Sequence, residues 1–347
     1  MFSDLPDFAR IIDGRLASPS PLRTGDGDAM AQRLGWTILR QLTSGAPPGG
    51  ASPLRLSSIG SCARRLYYRA SGAAEDGKTR DGRSTAIFAV GDAVEALLTT
   101  ALAEALQGAT DGPGALWELS GVRGATGQAK INLMVDLPGL KTPVWIPGHP
   151  DGVLLGPTDD GGTQPAAVLE VKSASSYGVA RVEGRLRSGL DGWSREDSYW
   201  WQIQGYMAAM DHLPLAYVLM MCKDSGHIVG FWLKRDPEFM PLLIEHIGPL
   251  FVGGWHSVEI PHRRLPDGTE LEPADAERYM RSGKRRDGSV YVAGDPKPGA
   301  GKLPWQCHYC PYFRPCWGSD LEEGVVRDYR GRPSRGLFMR SKKGPSQ

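Results

Sequence analysis

Residues 148–172 read GHPDGVLLGPTDDGGTQPAAVLEVK, and the fold turns on how they are parsed. Asp151–Leu155 and Ala166–Lys172 are short apolar runs, and TDDGG at 158–162 between them is a turn signal. The stretch therefore predicts two strands of one hairpin. In the second strand the two-residue period puts Val168, Glu170 and Lys172 on one face and Leu169 and Val171 on the other. Apolar residues on both faces mark a central, buried strand. A charged pair at the end of such a strand is costly unless something compensates it. A divalent cation with bound water and a phosphate would do so. Mg²⁺ takes one or two carboxylates, a carbonyl, and otherwise water and substrate oxygens. Asp151 and Glu170 supply the carboxylates, and the backbone carbonyl of Val171 lies between Glu170 and Lys172. Lys172 can orient or deprotonate an attacking water and offset phosphate charge. Taken singly, GHPDG also reads as a structural turn aspartate and EVK as a Glu–Lys pair closing a strand.

Outward from this hairpin, strands and helices mix. Trp117–Val122, Lys130–Val135 and Val144–Ile146 read as preceding strands of a meander. Ser198–Met210 reads as a helix on which Gln202 and Tyr206, four apart, reach one spot. Ala216–Cys222 and His227–Lys234 form a hairpin around KDSG, and Pro237–Phe251 is a further helix. Thr85–Leu106 is a long amphipathic helix with Gly91 and Glu95 one turn apart. Gly91 would let that helix approach the sheet, and Glu95 would be a third carboxylate or a solvated one. The expected class is α/β, a mixed central sheet flanked by helices.

Further upstream, Ser57 or Ser58 can cap a helix that buries Ile59, Cys62, Ala63 and Leu66. Its other face carries Arg64, Arg65 and Arg69 with Tyr67 and Tyr68, a phosphate-gripping and base-stacking set or a solvated face. Trp200 and Trp201 are further stacking surfaces or core residues. Residues 1–25 show no strong period and read as a loosely docked arm, followed by a short helix at Ala29–Leu42 and a linker at Thr43–Pro53. Residues 252–304 are rich in Gly, Pro and charge, with one helix at Pro273–Ser282, and 321–347 form a basic tail. Gly72–Ser84 reads as a polar loop.

The 347 residues suggest about two domains. Forty Lys and Arg against 39 Asp and Glu argue against a protein that coats nucleic acid by bulk charge, while leaving room for a local basic groove. The longest apolar run, Leu215–Cys222, is far short of a membrane span, and Met1–Arg15 lacks a signal-peptide core. A cytoplasmic protein with reduced thiols is expected, in a bacterial or phage-infected cell. Five cysteines are wrong for a disulfide scaffold. Cys307, Cys310 and Cys316 sit in CHYCPYFRPC, a compact thiolate set that needs a fourth ligand. Cys62 is the candidate, with His308 as a substitute for zinc. Four thiolates suit structural Zn²⁺ or an iron–sulfur cluster, and the split spacing favours iron–sulfur. Cys222, in an apolar strand, reads as an inert core thiol.

Five short signatures occur in one order: SCARRLYY with Cys62, GHPDG with Asp151, EVK with Glu170 and Lys172, QIQGY with Gln202 and Tyr206, and CHYCPYFRPC. In this the chain resembles the RecB-like branch of the PD-(D/E)XK nuclease superfamily, over roughly residues 55–320. It is most similar to members with a cysteine-bound 4Fe–4S cluster: the CRISPR adaptation nuclease, the nuclease domain of the AddAB helicase–nuclease, and phage relatives. The resemblance implies a restriction-endonuclease-like core over 85–251. It implies an iron–sulfur subdomain built from 54–84 and 305–320, its cluster held by Cys62, Cys307, Cys310 and Cys316. It implies Mg²⁺ or Mn²⁺ on Asp151 and Glu170, with Lys172 assisting and Gln202 and Tyr206 in support. The branch often carries His where Glu95 stands, and phage exonucleases of the superfamily carry Glu in an equivalent role, so Glu95 is a candidate metal ligand. The implied activity is a metal-dependent DNA exonuclease on single strands or DNA ends, with Arg64, Arg65, Arg69 and Tyr67 on the DNA. Recombination, repair, phage replication and CRISPR spacer acquisition are the implied settings. A second copy of the chain or a recombination or CRISPR protein is an implied partner. A catalytically silent nucleic-acid-binding subunit is the contrasting expectation.

Overall fold

A computed structural model describes residues 5–17, 54–75, 82–108, 117–121, 129–210, 213–251, 301–302, 310–312, 315–316 and 326–327. The predicted helices at Ala29–Leu42 and Pro273–Ser282, the linker, most of the basic tail and Cys307 lie outside these residues. The chain divides into two compact units. One comprises Met1–Gly60 and Arg80–Gly248, the other Ser61–Thr79 and Pro249–Gln347.

The first unit is built on a five-stranded sheet. Its strands are β1 (Glu118–Ser120), β4 (Gly152–Pro157), β5 (Thr163–Ala174), β6 (Leu215–Cys222) and β7 (Ile228–Lys234), in the order β1-β4-β5-β6-β7. Only the β5–β6 pairing is parallel. Its crossover contains α4 (Ser176–Arg187) and α5 (Ser198–Ala209). β2 (Ile131–Val135) and β3 (Val144–Gly148) pair only with each other, so the expected meander is interrupted by a separate hairpin.

β5 is central, as its sequence predicts. Leu169 and Val171 point into a core shared with Leu154, Tyr217, Leu219 and Trp232 of the sheet, and with Val94, Leu98, Ala101 and Leu102 of α3 (Gly82–Gly108). Within α3, Ala86–Gln107 is long and apolar enough to cross a membrane by length and composition alone. Asp92, Glu95 and Glu104 break the apolar run in the sequence, which is why the stretch does not read as a span there. Its stripe from Val94 to Leu106 packs against the sheet, as the core helix of a globular unit does.

The loosely docked arm is corrected. Phe8–Leu16 is a helix, α1, and Phe8 and Ile12 are fully buried in that same core. The Tyr217 hydroxyl accepts from Ala9 N–H at 2.9 Å and donates to Asp7 Oδ1 at 3.2 Å, and Trp232 Nε1 donates to the Pro6 carbonyl at 3.2 Å. The Tyr217 ring lies across Gly230, where a Cβ would stand 2.0 Å from its hydroxyl. Only glycine leaves room for this anchor. Phe8 meets Tyr217 edge-on, ring centroids 5.0 Å apart.

The helix expected from Ser57 onward is also corrected. Leu56–Ser58 is a single 3₁₀ turn, and the Ser58 hydroxyl donates to the Arg55 carbonyl at 2.9 Å instead of capping. The helix itself, α2, runs Ala63–Ala70 with Cys62 at its N-cap. In the first unit, α6 (Phe239–Ile247) takes the place of the predicted helix at Pro237–Phe251.

Candidate active site

β4 and β5 run antiparallel with Gly152 opposite Leu169, so Asp151 enters opposite Glu170. Asp151 Oδ2 accepts the Val171 N–H at 2.8 Å, which fixes the carboxylate against the end of the ladder. The hairpin reading of 148–172 thus brings the two acids together. Glu170 is buried. Its Oε1 accepts from Lys172 Nζ and, at 2.7 Å, from Gln202 Nε2. Its Oε2 is buried without a hydrogen-bond partner. An unsatisfied buried oxygen of this kind costs about 1–3 kcal/mol or more.

The supporting side comes from α5. Gln202 and Tyr206 are one turn apart, and the same amide nitrogen that reaches Glu170 also donates to the Tyr206 hydroxyl at 2.9 Å. β3 ends beneath this pair. A Cβ on Gly148 would meet Tyr206 Cε1 at 2.8 Å and Leu56 Cδ1 at 2.7 Å, so the close approach requires glycine. Gly91 carries no such demand, because a Cβ there would meet Ser173 Oγ at an ordinary 3.6 Å. Its expected role in a close approach is withdrawn.

The electrostatics are those of an uncompensated negative site. Burial first, and then the neighbouring Asp151 carboxylate, push the Glu170 carboxyl up to about 8; Lys172 pulls it back, and Glu95 adds a smaller upward push. Burial works against the Lys172 ammonium, but the carboxylates of Glu170 and Asp151 outweigh it and hold the lysine above its ordinary range. Tyr206 is raised by burial and by the same two acids. Lys172 therefore carries its proton as held here, which suits charge compensation and orientation of a water better than deprotonation. Glu95 is felt at the site through its charge. Among the described residues no three of His, Cys, Asp and Glu are gathered so as to hold a metal ion. The donors nevertheless suit a divalent cation: hard carboxylate oxygens, one of them orphaned in a buried position.

Tyr199, immediately before Trp200 and Trp201, is a further neighbour of Lys172. Its ring lies 5.2 Å from Lys172 Nζ and packs on buried Trp193, centroids 5.0 Å apart. The aromatic run YWWQ was the available signal. Trp200 and Trp201, read as stacking surfaces or core residues, are buried against Phe239 and are core. Trp201 Nε1 is satisfied by the Arg195 carbonyl at 2.8 Å. Just past β5, the N-terminus of α4 is closed, because Asp224 Oδ2 accepts from Ser176 N–H at 2.8 Å. That helix end offers no free anion site.

In the second unit, Cys62, Cys310 and Cys316 lie within electrostatic reach of one another. Burial raises the Cys62 thiol, the N–H groups of Arg65 and Arg64 at the start of α2 oppose it, and Cys316 adds to it. Burial pushes Cys310 up to about 11, with Arg65 opposing and the other two thiols contributing. The Cys310–Cys316 segment packs on α2 through Tyr312 and Tyr68, centroids 5.8 Å apart, and the Tyr68 hydroxyl donates to the Pro315 carbonyl at 2.8 Å. Tyr68 is thus buried structure. Arg64 and Arg65 are half-buried with their charge felt at the thiols; Arg69 is exposed and Tyr67 half-buried.

No family model and no curated protein matches the chain. Among solved structures, that of SSO0001 is similar with a TM-score of 0.36 and 11% identity, covering 81% of this chain and 93% of that one. An alkaline exonuclease (LHK-Exo) from Laribacter hongkongensis gives a TM-score of 0.30 and 14% identity, covering 65% and 91%. LHK-Exo in complex with dAMP gives 0.31 and 13% over the same shares. Likeness at this level assigns no activity, and the functional reading rests on the residues of the site.

Proposed function

We propose that this chain is a metal-dependent deoxyribonuclease that hydrolyses phosphodiester bonds, as an exonuclease on single strands or DNA ends. The observation that carries the reading is the buried Glu170 carboxylate, one oxygen tied to Lys172 and Gln202 and the other orphaned beside Asp151. A purely structural Glu–Lys pair has no use for an unsatisfied oxygen and a second acid across the ladder. Asp151, Glu170 and the Val171 carbonyl are the groups that would hold Mg²⁺ or Mn²⁺; Glu95, expected as a third ligand, is not gathered with the two acids and acts on Glu170 through its charge. When bound, the ion would supply charge for the phosphate and a lowered pKa for a coordinated water.

The chain's own residues do the rest. Lys172, one-fifth exposed in its side chain, points a positive charge from a buried root toward the open side. With its ammonium held on Glu170 Oε1, Lys172 can orient water and offset phosphate charge. Gln202 fixes the Glu170 oxygen that faces Lys172, and Tyr206 fixes Gln202. The test is degradation of end-labelled single-stranded DNA with Mg²⁺ or Mn²⁺ by wild type and Lys172→Ala. Metal-dependent loss of label by wild type alone is expected. Intact DNA with folded, metal-supplied wild type overturns the reading.

For the second unit we propose a 4Fe–4S cluster on Cys62, Cys307, Cys310 and Cys316, on the strength of the CHYCPYFRPC spacing and Cys62; the described thiols are not gathered as a metal-holding group. Anaerobically purified protein should be brown and contain iron. Colourless protein with stoichiometric zinc would replace the cluster by a structural zinc site.

A further inference from the structure

We infer that Tyr199 is a stacking site for an unpaired nucleobase, placed so that the phosphate attached to that base falls at Lys172. The inference rests on the nuclease reading and adds a substrate contact to it. The first observation is exposure. Tyr199 opens α5, yet its ring is 44% exposed, while Trp200 and Trp201 directly after it are buried.

The second is rigidity. Tyr199 packs on Trp193, which is itself 2% exposed and stands edge-on to Phe231 with centroids 5.3 Å apart. Gly192, just before Trp193, leaves no room for a Cβ, since Phe231 ring atoms would lie 2.7 Å away. An exposed ring on a buried aromatic wedge has little freedom to lose on binding, which favours affinity. The third is position. Lys172 Nζ lies over the Tyr199 ring, 5.2 Å from its centroid, and is hydrogen-bonded to Glu170, so a stacked base would share the ring with the cation its phosphate meets. A nucleotide offers a flat base and an anionic phosphate a few bonds apart, and here an exposed ring and a cation are neighbours. An unpaired base offers its face to such a ring without first being drawn out of a duplex stack, so the site favours a strand whose end is unpaired.

Other features carry less. Ile87, Phe88 and Val90 form an exposed apolar turn of α3, and Met134 and Trp145 an exposed cross-strand pair on the β2–β3 hairpin, but nothing in the structure names an occupant for either.

The experiment compares wild type, Tyr199→Leu and Tyr199→Phe on a labelled single-stranded oligonucleotide. The same oligonucleotide with an abasic residue at the terminal cleaved position is the second substrate. Binding is read by fluorescence anisotropy without divalent ions, and cleavage with Mg²⁺. Stacking is worth roughly 5- to 100-fold in affinity per base. Tyr199→Leu should weaken binding and raise KM by about that factor with kcat largely kept, and Tyr199→Phe should restore both. On the abasic strand, wild type should fall to the level of Tyr199→Leu, and the substitution should then cost nothing more. Equal binding by wild type and Tyr199→Leu, or a loss that persists undiminished on the abasic strand, overturns the stacking site. If wild type binds in a Tyr199-dependent way but never cleaves, the nuclease reading fails and the base site stands. If it cleaves with no dependence on Tyr199, the reverse holds. A wild type that does neither overturns both.

Discussion

The two faces of β5 make opposite demands on one strand. Leu169 and Val171 enter an apolar layer to which α1 and α3 contribute Phe8, Ile12, Val94, Leu98, Ala101 and Leu102. Glu170, one residue away on the other face, is as deeply buried and holds an unpaired oxygen and a neighbouring acid. The first face stores stability, and the second holds charge in a state that folding alone would not choose. Function is expected on the face where folding is worse served.

The largest effect should follow from Lys172→Ala, which removes the only cation hydrogen-bonded to Glu170 among the described residues. Cleavage should fall by about 10²- to 10⁴-fold, while the melting temperature changes little, because a buried acid losing its partner can take up a proton. A cleavage rate within threefold of wild type would remove Lys172 from the chemistry. On the other face, Leu169→Ala deletes a fully buried side chain and should cost about 2–5 kcal/mol in denaturant unfolding, with kcat of the folded fraction kept. A cost under 1 kcal/mol would mean that this layer is not the structural one.

The third test reverses sign. Glu170 holds its proton up to about 8 in the folded state against 4.5 ordinarily. Between those values the folded chain binds more protons than the unfolded chain, so this group makes stability fall as pH rises through the window. Lys172, held above its ordinary range, stays protonated throughout and contributes no slope there. Glu170→Gln should therefore abolish Mg²⁺-supported cleavage, and in metal-free protein it should raise stability toward pH 8, where the buried carboxyl would otherwise ionise, and flatten the decline between pH 5 and 8. Thermal melts of both proteins across that range check it. Parallel curves would show that Glu170 is not destabilising.

The legible parts of this architecture are those set by short-range pattern. The alternation of Val168 to Lys172, the turn between β4 and β5, and the four-residue spacing of Gln202 and Tyr206 were enough to assemble the acids, the lysine and the amide. What the sequence hid depends on distant partners. α1 is short and weakly patterned, and its docking is decided by a tyrosine 208 residues away and by the space over Gly230. α4 was passed over because SYGVARVEGRLR carries two glycines and buries only Val179 and Val182. The aromatic run at 199–201 gave no hint that one ring is exposed and two are core, since that depends on Trp193 and Phe239. Arg64 and Arg65 looked like a solvated face because the thiols beside them come from the far end of the chain.

The smallest effect tests the apolar face with a polar group of its own. The Tyr217 hydroxyl is buried, and its hydrogen bonds to Ala9 and Asp7 are what hold the start of α1. Tyr217→Phe keeps the ring, its edge-on contact with Phe8 and its position over Gly230, and deletes only the oxygen. The Ala9 N–H is then left buried without its acceptor, so stability should drop by about 1 kcal/mol, with amide exchange of residues 8–12 accelerated more than that of β5. Removing one oxygen from this face should thus lower stability, while neutralising Glu170 on the other should raise it, although both groups are buried and polar. The difference lies in charge as well as pairing: the neutral Tyr217 hydroxyl has a donor and an acceptor in place, while burial and Asp151 work against a charge on Glu170 and its Oε2 has no partner. If both substitutions shift stability in the same direction, burial and not pairing separates the two faces, and the orphaned oxygen loses its standing as a mark of the site.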